Sequence, residues 1–163
     1  MPAFWIDSNV LMESANGAYG FDLAPGFWEF VEEQIHADQF CIPKAVYLEN
    51  STKDTDLKDW VDRRPDSAVV EASREVQETY REIADFVANG EYEDHEKRNF
   101  LNGADGWLIA HAKIADGTVV TQEKRAGPGA RVVKIPNICD RFQTIVIDRD
   151  ALLRRFGVRL IRE

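Results

Sequence analysis

Four carboxylates in this chain stand where chemistry could use them. Asp7 follows the apolar run Phe4-Trp5-Ile6, and Glu49 falls about two turns into a helix opened by Pro43. Asp105 lies in the first turn of an apolar helix, and Glu123 follows the β-branched run Thr118-Val119-Val120-Thr121. Strand ends and helix starts in a parallel sheet share one edge, so three or four of these acids have addresses that converge on one cleft. Hard oxygen donors gathered this way suit magnesium or manganese, and without a cation they would repel one another.

Each acid also has a plainer role open to it. Asp7 and Asp105 could cap helices, Glu49 could be a solvated helix residue and Glu123 a loop residue. Ser8 adjoins Asp7, but no histidine stands at a triad address, which argues against a serine nucleophile. His36 and His95 read as surface residues and His111 as core or rim. Trp5, Trp28, Trp60 and Trp107 occupy apolar positions and read as core rather than as base-stacking platforms.

The elements that must position these acids follow from patterning. Continuous apolar character in Phe4–Ile6 and Phe40–Ile42 suits strands buried on both faces of a parallel sheet. Thr118–Thr121, Arg131–Ile135 and Thr144–Ile147 supply further β-branched runs. Between them, helices are expected over Asn9–Glu13, from Pro25 to about Ala37, after Pro43, around Leu57–Val61, over Val69–Val87 and over Gly103–Ala115, the last with Asp105 in its first turn. Glu91–Arg98 reads as a mobile loop or exposed short helix. A terminal helix capped by Asp148 runs to Arg155 and stops at Gly157. Helices alternating with short strands give an α/β class with a mostly parallel sheet in a single domain spanning residues 1–163.

Composition narrows the function classes. At 163 residues, 44% hydrophobic and 30% charged, the chain is expected to form one globular domain with a full core. No apolar run approaches the roughly 20 residues of a membrane span, and no signal peptide is evident, so a cytoplasmic location without membrane attachment is expected. Cys41 and Cys139 read as buried reduced thiols. The net charge of −9 opposes bulk electrostatic capture of nucleic acid, but it is unevenly spread. Residues 1–60, 61–123 and 124–163 carry −8, −7 and +6. The basic last quarter, with Arg149, Arg154, Arg155, Arg159 and Arg162, could contact phosphates, dock a partner or simply be solvated.

The set FWIDSNVL, VYLEN, ADGWLIAHAKIADG and TVVTQEK resembles the PIN domain, the nuclease fold of VapC-type toxins. More narrowly, it is similar to a PIN-like bacterial family in which KIPNIC follows the fourth motif. The resemblance covers nearly the whole chain and implies a three-layer α/β/α fold. It implies that Asp7, Glu49, Asp105 and Glu123 bind one or two Mg or Mn ions and catalyse RNA hydrolysis. Ser8, Asn9 and Thr121 would support them, and basic residues such as Lys124 and Arg125 would lie near the scissile phosphate. It further implies the toxin of a toxin–antitoxin pair, with a cognate antitoxin and a homodimer as partners. Three positions depart from the pattern: Glu123 is one methylene longer than the usual aspartate, Gly106 stands where proline is frequent, and Asn50 follows Glu49. Two rival classes remain open, a degraded PIN-like module that binds RNA or a protein without cutting it, and a phosphotransfer domain using Asp7 as acceptor. For the latter, a haloacid-dehalogenase-type site would want an aspartate where Asn9 stands.

Overall fold

The computed structural model describes residues 2–42, 55–63 and 71–162. At its centre are four strands, β1 (Phe4–Ile6), β2 (Phe40–Cys41), β3 (Thr118–Val120) and β4 (Ile145–Ile147). They form one sheet in the order β2-β1-β3-β4, with every pairing parallel. Among the described residues the helices are α1 (Ser8–Asn16), α2 (Pro25–His36), α3 (Thr55–Asp62), α4 (Arg74–Asn89), α5 (Asp94–Asn102), α6 (Asp105–Ile114), α7 (Ile135–Arg141) and α8 (Arg149–Arg155).

Strand alternation divides the apolar residues into two cores. Phe4, Ile6, Phe40 and Val120 face α1, α2, α3 and α8, where Leu11, Phe27, Trp28, Leu57 and Leu152 meet them. Trp5, Cys41 and Val119 face the opposite way, onto Ile83 and Val87 of α4, Leu108 and Ile109 of α6, and Ile138 of α7. Helices therefore cover both faces of an all-parallel sheet, which is the three-layer α/β/α arrangement. At the sheet's amino edge Phe4, Phe30, Phe40 and Phe156 pack edge-on with ring centroids 5.4–5.7 Å apart. Each such pair adds about 0.5–1.5 kcal/mol beyond the area it buries.

Helix boundaries follow local chemistry. Pro25 opens α2, as its fixed φ favours. The Ser73 hydroxyl accepts the Val76 N–H at 3.2 Å and starts α4 at Arg74, later than the apolar pattern from Val69 suggests. Asp148 Oδ1 accepts the Ala151 N–H at 2.8 Å, and Gly157, at φ +67°, closes α8. The polar stretch from Glu91 contains helix α5 from Asp94, and α1 extends beyond Glu13 to Asn16.

One expected strand is absent. Arg131–Ile135 pairs with no strand; instead the Arg131 carbonyl accepts the Glu93 N–H at 2.9 Å and Glu96 Oε2 accepts the Val133 N–H at 3.2 Å. β3 and β4 pair directly with each other, and Pro136 at the start of α7 favours helix from Ile135 onward. Cys41 and Cys139 are buried free thiols, and burial pushes both up to about 12. Among the described residues no helix is long and apolar enough to cross a membrane.

Candidate functional site

Because all four strands run the same way, the segments that follow them leave from one edge. β1 has β2 on one side and β3 on the other, so the carboxyl ends of β1 and β3 flank the topological switch point where open α/β sheets bind ligands. Ile6 is in register with Val120, which places Asp7 beside Thr121. The Asp7 N–H donates to Val120 O at 2.9 Å and the Thr121 N–H to Ile147 O at 3.0 Å, so both residues are held by the sheet itself.

Side chains extend this framework. Thr121 Oγ1 donates to Asp7 Oδ2 at 2.8 Å and accepts the Glu123 N–H at 3.1 Å. Glu123 Oε2 in turn accepts the N–H of Ile135, the first residue of α7, at 2.7 Å. Asp7 and Thr121 are each only 1% exposed. Burial pushes the Asp7 carboxyl from the ordinary 3.8 up to about 6; the Thr121 hydroxyl lowers it, the negative charge of Glu123 raises it, and the Asn9 and Ser8 amides lower it.

A family model matches residues 4–160. The chain belongs to DUF4411, a domain of unknown function. No curated protein matches it. The DUF4411 match spans Asp7, Asp105 and Glu123 together with the sheet that positions them.

In this DUF4411 chain Asp7 precedes α1 yet closes no side-chain cap hydrogen bond; its carboxylate turns to Thr121 instead. Asp105 is the first residue of α6 rather than its cap, and it is half-buried. Since α6 leads into β3, its first turn lies at the same carboxyl edge as Asp7. Gly106 packs against the Tyr80 ring, where an added Cβ would come within 2.9 Å, and Tyr80 stacks on Trp107 at 3.8 Å. Ser8 is buried and Asn9 half-buried in the first turn of α1. Glu49, Asn50 and the helix opened by Pro43 lie outside the described residues. Among the described residues no three His, Cys, Asp or Glu side chains are grouped to hold a metal.

Asp7 and Glu123, linked through Thr121, offer oxygen, the donor type that hard divalent cations take. A carboxylate as buried as Asp7, destabilised further by Glu123, gains most from a nearby positive charge, and all the donors are oxygen. One oxygen of Glu123 is committed to Ile135, which leaves the other for a ligand.

The basic candidates divide. Lys124 is exposed and lines a cavity of about 240 Å³ beside Thr121 and Glu123. Arg125 is held by Asp140 through contacts of 2.7 and 2.9 Å. Arg154 and Arg155 belong to the last turn of α8, which leaves the carboxyl edge after β4 and runs back along the sheet. They end at the amino edge, with the Arg155 guanidinium 5.7 Å above the Phe4 ring, and so are not brought together with Asp7. Arg149, the first residue of α8, stays at the carboxyl edge, fixed 4.1 Å over Tyr19 and donating to Ser14 Oγ at 3.1 Å. His111 is buried and stacked on Trp5, 5.2 Å between centroids, and burial lowers its pKa. Pro136 and Asp148, which the motifs did not single out for a site, line the cavity next to Lys124. For Asp148 the signal was available: it follows β4 as Asp7 follows β1.

Proposed function

We propose that this chain is a divalent-metal-dependent endoribonuclease of PIN-like type, built around Asp7. The observation that carries this reading is a carboxylate 1% exposed at the switch point of a parallel sheet, hydrogen-bonded by Thr121 and destabilised by Glu123. Asp7, Asp105 and Glu123 would hold magnesium or manganese, with Glu49 as the fourth ligand that the family resemblance implies. Bound there, the ion would supply activation of the attacking water and offset the charge that builds on the phosphate oxygens. Thr121 fixes the orientation of the Asp7 carboxylate and Glu123 ties that pair to α7. The depth of Asp7 keeps its charge out of bulk water, where it would be screened. A cytoplasmic toxin with a cognate antitoxin, working as a homodimer, is the biological setting that the PIN resemblance supports. The test is cleavage of labelled single-stranded RNA with added manganese or magnesium. Wild type should cut and Asp7→Asn should not; equal cleavage by both would sink the proposal.

A second reading has an observation of its own. Glu123 spends one carboxylate oxygen on the α7 amide. That commitment favours a PIN-like module that binds RNA or a protein without cutting. Absence of manganese binding, with RNA binding that survives Asp7→Asn, would select it.

A further inference from the structure

The cavity of about 240 Å³ at the carboxyl ends of β3 and β4 shares Thr121 with the acidic site, and that residue's hydroxyl holds Asp7. Its volume is below the roughly 300–1,000 Å³ of drug-sized pockets and suits one nucleotide unit. Three kinds of wall surround it. Two cations line it: Arg125, whose guanidinium is held by Asp140, and Lys124, which forms no ion pair among the described residues; both belong to a stretch, residues 124–134, with four bases and no acid in a chain of net −9. Pro136 and Val146 supply an apolar side. Glu123 and Asp148 supply carboxylates, each with one oxygen already on a backbone amide, Ile135 at 2.7 Å and Ala151 at 2.8 Å.

A free ammonium beside half-committed carboxylates is a poor seat for a bare anion and a good one for a ligand carrying both a phosphate and a hydroxyl donor. A ribonucleotide is such a ligand, since its 2′-hydroxyl offers the proton that deoxyribose lacks. No aromatic ring lines the cavity, so the base is not read by stacking there. We propose that this cavity seats the ribonucleotide beside the scissile bond, with Lys124 on its phosphate and the second oxygen of Asp148 accepting its 2′-hydroxyl, so that the protein selects RNA over DNA. The placement beside a scissile bond rests on the nuclease reading; the ribose selection does not.

Fluorescence anisotropy in EDTA, with one labelled single-stranded sequence made as RNA and as DNA, tests it. Wild type should bind the RNA roughly tenfold tighter, as one added hydrogen bond to a charged acceptor allows. Lys124→Ala should weaken both ligands and flatten the salt dependence by about 0.7 in log–log slope, and Lys124→Arg should restore both. Asp148→Ser keeps the helix cap but lacks the second oxygen, so RNA affinity should fall to that of DNA while DNA affinity stays unchanged. Loss of a purely structural role would weaken both ligands alike. Equal wild-type affinity for RNA and DNA, a silent Lys124→Ala, or an RNA preference that survives Asp148→Ser would each overturn the proposal. Manganese-dependent cleavage of the same RNA by wild type, run in parallel, separates the two readings. Cleavage alongside silent variants removes the cavity and keeps the nuclease, whereas variant-sensitive RNA selection without cleavage does the reverse.

Discussion

Asp7→Asn should gain stability relative to wild type in the metal-free protein as pH rises from about 4 to about 7. Burial holds the Asp7 carboxyl at about 6 in the fold against an ordinary 3.8. Between those values the folded chain keeps a proton that the unfolded chain has released, so raising the pH favours unfolding. The contribution of this group is fully present below 3.8 and is lost as pH climbs through about 6. At about 1.4 kcal/mol per pH unit, the gap corresponds to about 3 kcal/mol near neutrality. Asparagine keeps the shape and an oxygen for Thr121 Oγ1, and removes the charge. Its amide N–H must find a partner in a buried site at a cost of about 1–3 kcal/mol, which leaves a net gain of about 0–2 kcal/mol at neutral pH.

Urea unfolding in EDTA across this pH range reads the difference directly. At the acid end Asp7→Asn should be the less stable protein by the cost of its buried amide, and the difference should move steadily in its favour toward neutrality. Manganese at a hundredfold excess over its dissociation constant should then stabilise wild type by about 2.7 kcal/mol and leave Asp7→Asn unmoved. A stability difference between the two proteins that ignores pH would refute the burial argument on which the metal site rests.

Thr121→Val keeps the volume and removes the hydroxyl that donates to Asp7 Oδ2, so the Asp7 carboxyl should rise further by about one pH unit, read by carboxyl-carbon NMR titration. An unchanged titration would mean that this hydrogen bond does not favour the ionised form. Glu123→Ala strands the Ile135 amide and should cost about 1 kcal/mol in thermal unfolding; Glu123→Gln retains an acceptor and should cost less. Arg154→Ala with Arg155→Ala should leave RNA affinity within about twofold of wild type, because both side chains lie at the sheet's far edge. A large loss in anisotropy would move the RNA path to that edge.

Much of the fold is legible in the chain because short strands buried on both faces leave continuous apolar runs, and Phe4–Ile6 and Thr118–Val120 are such runs. The valines before Ile135 have the same composition without a place in the sheet. The direct pairing of β3 with β4 leaves no place between those strands, and the backbone of Arg131 and Val133 bonds to Glu93 and Glu96 instead, which no local pattern encodes, although Pro136 marks the helix start. Asp7 and Thr121 are legible as neighbours once the sheet is taken as parallel. The bond from Glu123 to Ile135 joins segments with no shared periodicity and emerges only from the fold. For Arg154 and Arg155, charge counting says nothing of position. The strand–helix order does, since a helix following β4 must carry its last turn back to the amino edge.

The length of the Glu123 side chain then acquires a physical reason. Thr121 binds the Glu123 amide, which fixes the backbone close to Asp7, while the carboxylate must still reach the first amide of α7. A glutamate spans that gap with one oxygen to spare. The segment between them, residues 124–134, is fastened at several further points: Arg125 to Asp140, Ala126 to Asn137 in both directions, and Arg131 to Glu93. Glu123 thus belongs both to the acidic site and to the attachment of the basic segment beside it. A shorter aspartate would leave either the site or the α7 amide without its oxygen. Substitution there should therefore disturb the position of Lys124 as well as the charge next to Asp7, a coupling that substitution of Asp105, on a separate helix, should not show.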